Sequence, residues 1–114
     1  MKELFQIIEV IDNALLELDI LSNQYKMYQK GKEPYDSTHR ILILLRSEIN
    51  INQKNINKRV LRAIHDMGMS SYKDFENTKL ECLINSIISI IYNQIPIYKS
   101  LEPLREDFGK GNPI

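Results

Sequence analysis

From Cys82 to Tyr98 the chain carries no charged residue, and its largest side chains in and just before that stretch fall at a fixed interval. Leu80, Ile84, Ile87, Ile88, Ile91 and Ile95 recur at steps of one, three and four, the period with which a helix turns one face towards a core. A helix this apolar has to be covered by others, so the spacing predicts the central element of a helical bundle. Asn85, Ser86, Ser89, Asn93 and Gln94 break the stretch with polar groups and Pro96 interrupts it, which disfavours a membrane span.

Three more helices are predicted upstream. Leu4, Ile8, Ile11, Leu15 and Leu18 lie on alternating steps of four and three that Ser22 and Tyr25 continue, and Lys30, Gly31 and Pro34 place the end of this first helix near residue 30. In STHRILILLRSEI, Thr38, Leu42, Leu45 and Ile49 are helix-spaced, with Asp36 or Ser37 available as the cap. The run Ile41 to Leu45 has strand composition, but no second strand candidate exists to pair with it. NINQKNIN supplies turn chemistry, after which Ile56, Val60, Ile64 and Met67 mark a third helix with Gly68 as its stop. Ser71 with Asp74, and Thr78 with Glu81, have capping-box spacing, the second pair opening the fourth helix. A short helical turn over Ile97 to Leu101 and an irregular tail over 102–114, anchored by Leu104 and Phe108, complete the expectation. The fold expected is therefore all-α, an antiparallel four-helix bundle with a short fifth helical segment and an irregular C-terminal tail, in one domain over 1–114.

Charge narrows the function classes. Fifteen Lys and Arg balance fifteen Asp and Glu, so no long-range field draws the chain to nucleic acid or a membrane surface. The balance is uneven along the chain: residues 51–75 hold five basic and two acidic side chains, net +3, and make the third helix modestly basic. Cys82 is the single cysteine and forms no internal disulfide, and MKELFQIIEVIDNALLELD carries acids where a secretory signal has an uncharged core; both point to a reducing cytoplasm. No metal, phosphate-loop, dinucleotide or nucleophile motif is present, so no cofactor is expected.

Several constellations could still carry chemistry. Arg59 and His65 lie on the third helix with Arg62 and Asp66 between and beside them, and Arg62 and Asp66 stand at the spacing of a surface ion pair. This resembles the arginine and histidine signature of HEPN ribonucleases, small all-helical proteins. The resemblance implies a dimer cleft with the histidine near the scissile phosphate and the arginine stabilising its charge; Val60 stands where that family usually has a polar residue. Tyr35, Asp36 and His39 surround the first loop, where an aspartate could orient an imidazole, although capping explains Asp36 more simply. Cys82 shares a face with Ser86, Ser89 and Asn93, a row of small residues suited to close approach of another helix. The six tyrosines fall near predicted helix ends, at the rim of a core.

Glu102, Arg105, Glu106, Asp107 and Phe108 set three acids around one arginine and one aromatic ring. In size, helical layout and this tail, with its PLREDFG ending, the chain resembles small bacterial toxin-immunity proteins. The resemblance implies a cytosolic, non-enzymatic protein, monomer or homodimer, that neutralises a toxin domain by stoichiometric binding. Helix ends and the tail would make the contact, through Tyr35, Asp36, Glu102, Arg105, Glu106, Asp107 and Phe108. The alternatives are a HEPN-like ribonuclease using Arg59 and His65, or a helical adaptor.

Overall fold

The computed structural model describes residues 2–53 and 55–95, with side chains from residue 5 onward. Four helices follow one another: α1 (Lys2–Gln24), α2 (Tyr35–Asn52), α3 (Lys58–Asp74) and α4 (Lys79–Gln94), with a 3₁₀ turn at Lys26–Tyr28. Each packs on its neighbours in sequence, and α1 closes the ring against α4. Adjacent helices run antiparallel: Asp19 meets Tyr35 and Asp12 meets Arg46 across α1 and α2, and Gly68 faces Ile88 across α3 and α4. The all-α bundle predicted from spacing is the fold observed. The fifth segment and the tail lie outside the described residues.

The core rows of α2, α3 and α4 follow the sequence pattern. Thr38, Leu42, Leu45 and Ile49 are buried with Tyr35 on α2; Val60, Ile64 and Met67 are buried on α3 with Leu61 and Ser71, and Ile56 just before it. Leu80, Ile84, Ile87, Ile91 and Ile95 are fully buried, while Ile88 is only half-buried. On α1 the buried row is Ile7, Ile11, Ala14, Leu18 and Leu21, and Ile8 and Leu15 lie half-buried at its edge. Leu4 lies outside the described side chains; among the described ones the predicted row shares Ile11 and Leu18 with the observed one. A helix wedged between two neighbours buries a wide stripe, and the seven-residue pattern caught one edge of it.

Three boundaries depart from expectation. α1 stops at Gln24 instead of near residue 30, because Tyr25 turns extended (φ −133°, ψ 131°) and the following 3₁₀ turn brings Tyr28 into the end of the bundle. There its ring stacks on Phe75 with centroids 5.2 Å apart and its hydroxyl donates to the Asp74 carbonyl at 2.9 Å. α2 begins at Tyr35 with Pro34 as its cap residue, so neither Asp36 nor Ser37 caps it. Instead Glu33 Oε1 accepts from the Ser37 amide at 3.0 Å and its hydroxyl at 2.6 Å, bonds that hold the Glu33 carboxyl below its ordinary range.

Gly68 does not end α3, which runs six residues further. A Cβ at Gly68 would collide with Ile88 Cδ1, so glycine serves the approach of α4 and not a turn. Ser71 is correspondingly mid-helix, its hydroxyl donating to the Gly68 carbonyl at 3.0 Å, and forms no capping box. Thr78 does cap α4, accepting from the Glu81 amide at 3.3 Å, while Glu81 reaches back to the Asn77 amide. Asn57 Oδ1 caps α3 by accepting from the Arg59 amide at 2.7 Å.

Candidate functional site

The side chains singled out at the first loop form one polar cluster. The Tyr35 ring is buried between α1 and α2, where its hydroxyl donates to Asp19 Oδ1 at 2.7 Å, and Lys30 Nζ lies 3.7 Å from the same oxygen. Burial first, and the Asp19 carboxylate second, push the Tyr35 phenol up to about 12, since both penalise the phenolate. His39 stacks on the Tyr35 ring at 5.5 Å, one turn along α2. Asp36 does not orient His39: its Oδ1 accepts from the amide of Gly31, whose φ of +88° is a conformation glycine adopts freely. Tyr35 is therefore a strut of the hairpin, and Asp36, exposed, ties the loop to the helix.

Arg59 and His65 do not share a face of α3. Six residues at 100° each leave them 120° apart around the helix, and Arg59 is exposed at the capped N-terminus while His65 is half-buried with Nδ1 3.5 Å from Asp66 Oδ1. Arg62 and Asp66 are not among the described ion pairs. Cys82, Ser86, Ser89 and Asn93 are all exposed on α4, so among the described residues no helix approaches that row. Glu102, Arg105, Glu106, Asp107 and Phe108 lie outside the described residues.

What the sequence did not single out is a group of exposed aliphatic side chains on the outer side of α1 and α2. Arg46 makes a paired contact with Asp12, Nε to Oδ1 at 2.7 Å and Nη2 to Oδ2 at 3.3 Å, which pins α2 to α1 and raises the Arg46 pKa. One turn from this bridge towards the Tyr35 end stand Leu16 on α1, 61% exposed, and Ile43 on α2, 44% exposed. Leu44, 44% exposed, adjoins Ile43, and Ile51, 72% exposed, continues the outer face of α2. His39, Arg40, Ile43, Leu44 and Ser47 line an open, mostly apolar groove of about 480 Å³. The signal was present in the run Ile41–Leu45: five consecutive apolar residues on a helix cannot all face one core.

Two other hollows are less suited to recognition. Between α2 and α3 a cavity of about 150 Å³ is lined by Thr38, Asp66, Met67, Ser70, Asp74 and Phe75, below the size of ordinary ligand sites. At the end of the bundle, exposed Tyr25 and Met27 overhang a shallow hollow of about 370 Å³ with Glu76, Asn77 and Lys79 opposite. Among the described residues no three of His, Cys, Asp and Glu converge as metal ligands, and no described helix is long and apolar enough to cross a membrane. Comparison with protein-family models, with curated proteins and with solved structures finds no match.

Proposed function

We propose that this chain acts by binding a protein partner and performs no chemistry of its own, as an immunity protein that neutralises a bacterial toxin by stoichiometric capture. The observation that carries the reading is the outer face of α1 and α2. Leu16, Ile43, Leu44 and Ile51 are left in water beside a groove, an arrangement that marks interaction surfaces more than it serves stability. The loop end, with Tyr25, Met27 and the exposed Asp36 carboxylate, adds aromatic and polar contacts of the kind interfaces enrich. Glu102, Arg105, Glu106, Asp107 and Phe108 are proposed to extend this contact; Tyr35 supports it from beneath by holding the loop.

The ribonuclease alternative asks Arg59 and His65 to act together, and their 120° separation around α3 works against a shared site. Co-expression with a toxin domain encoded next to it, where one is found, is the test. The proposal predicts a 1:1 complex and protection of the host cell, with Asp107→Lys combined with Phe108→Ala weakening both while leaving the melting temperature within a few degrees of wild type. Failure of the protein to bind or protect against that toxin contradicts the immunity reading, and binding unchanged by the tail pair removes the tail from the contact.

A further inference from the structure

The cavity of about 150 Å³ between α2 and α3 is too small for a drug-sized ligand, but its polar lining is all of one kind. Among the described residues that line it there is no Lys, Arg or His; Asp66 and Asp74 stand two turns apart on α3, with Ser70 between them. The hydroxyls of Ser37 and Ser70 have already given their protons away, Ser37 to Glu33 Oε1 at 2.6 Å and Ser70 to the Asp66 carbonyl at 3.1 Å. What each has left for the cavity is an acceptor oxygen. Thr38 is 5% exposed and lines the same cavity, and among the described residues its hydroxyl has no hydrogen-bond partner. A hydroxyl buried in this way calls for a polar group beside it, because native folds leave few such groups unpaired. The Asp74 carboxylate likewise makes no ion pair or hydrogen bond among the described residues, while Asp66 meets His65 alone, at 3.5 Å.

We infer that this cavity binds a short aliphatic diamine as its diammonium ion, one nitrogen against Asp66 and the other against Asp74. The eight-residue step from Asp66 to Asp74 sets their carboxylates about 12 Å apart along the helix axis, too far for one metal ion to touch both. An ammonium nitrogen ~2.8 Å from each carboxylate leaves about 6 Å between the two nitrogens, the span of a four-carbon chain. Half-buried Ile41 and buried Met67 and Phe75 form the apolar wall against which the methylenes lie. An ammonium has three donors and no acceptor, the complement of the oxygens that Ser37, Thr38 and Ser70 present. The volume equals about five waters at ~30 Å³ each, room for a ligand of about six non-hydrogen atoms and for nothing as large as a nucleotide. Asp66 is exposed, and an ion pair open to water is worth little, so the dissociation constant is on the order of 1 mM.

Titration of the full chain with 1,4-diaminobutane up to 50 mM at constant ionic strength, followed by amide chemical shifts, tests this without knowledge of any toxin. The expected result is saturable shifts at Thr38, Ile41, Ser70 and Asp74. Binding should weaken at least tenfold in Asp66→Asn and in Asp74→Asn, and several-fold in Thr38→Val. Butylamine, with one ammonium, and 1,2-diaminoethane, too short to reach both carboxylates, should bind at least tenfold more weakly. Glu76→Gln, at an exposed acid outside the cavity, leaves the affinity unchanged. The Asp66 side chain is 74% exposed, so Asp66→Asn keeps the fold, which circular dichroism verifies, and it carries the test alone where Asp74→Asn does not fold. The absence of any saturable shift up to 50 mM overturns the inference. So does equal binding of butylamine or of sodium ion, or an affinity unchanged by Asp66→Asn.

Discussion

The Tyr35 hydroxyl donates to Asp19 Oδ1 at 2.7 Å across α1 and α2, sixteen residues away in sequence and directly under the loop that joins the two helices. The bond is part of what lets a ten-residue connection with Gly31 and a cis Glu33–Pro34 peptide keep one shape. Tyr35→Phe retains the ring and its stack on His39 but strands Asp19 with Lys30 alone. A loss of about 1 kcal/mol is expected by chemical denaturation, the ordinary net worth of one such bond.

The same bond gives a pH signature. Tyr35 ionises near 10.0 in the unfolded chain and at about 12 in the folded one, so between these values the native state holds a proton that the unfolded state has lost. Stability is therefore fully present below about pH 10 and falls as pH rises towards 12. Tyr28, also raised, by burial and by Asp74, adds a loss of the same sign. The slope of stability against pH in this window should be smaller in Tyr35→Phe than in wild type; an identical slope would show that Tyr35 does not titrate as described.

Gly68 and Ile88 form a testable couple. Gly68→Ala gains helix propensity worth about 1 kcal/mol but drives a methyl into Ile88 Cδ1. In wild type the two effects oppose each other. In an Ile88→Val background, which removes that methyl group, Gly68→Ala should stabilise by about 1 kcal/mol. A double-mutant cycle on thermal unfolding measures the difference, and zero coupling would mean that α4 does not approach Gly68 as closely as the structure places it.

Capping offers a contrast within one chain. Thr78→Ala removes the acceptor for the Glu81 amide and should cost about 1 kcal/mol. Ser71→Ala breaks no cap, since Ser71 sits inside α3 and bonds back to Gly68. It should cost less than Thr78→Ala, and the reverse order of melting temperatures would restore a helix boundary near Gly68.

These residues also show what the sequence can and cannot disclose. The rows on α2, α3 and α4 are legible because their buried residues keep the step of three and four without a break, as in Thr38, Leu42, Leu45 and Ile49. α1 was read in the wrong register because Leu15 and Ile8 are as apolar as Ile7 and Leu21, and the small Ala14 at the centre of the buried row has little weight in any pattern. The end of α1 was hidden because Lys30, Gly31 and Pro34 are good stop signals, while the event that stops the helix earlier, Tyr28 stacking on Phe75, joins residues 47 apart. Gly68 was read as a stop because glycine does the same thing to a pattern whether it turns the chain or admits a neighbour. At the site the sequence points to Tyr35 and Asp36, and the fold adds what it does not show, the Tyr35 bond to Asp19 and the Asp36 bond to the Gly31 amide. The exposed Ile43 and Leu44 were visible only as an excess of apolar residues over what one core face holds.

If Arg59 and His65 were a ribonuclease pair, their removal would abolish an activity of the purified protein. No RNA cleavage is expected of wild type, with Arg59→Ala and His65→Ala folded and equally inert on a mixed-sequence RNA substrate. Cleavage that disappears in both variants would replace the binding reading by an enzymatic one.

The proposed function is that the protein works by holding another protein. The most direct measurement is affinity purification of the tagged full chain from its native cells, with mass spectrometry of what is retained and light scattering of the eluted complex. A toxin domain recovered in 1:1 ratio is the predicted result; recovery of the chain only with itself, or with RNA, would contradict it.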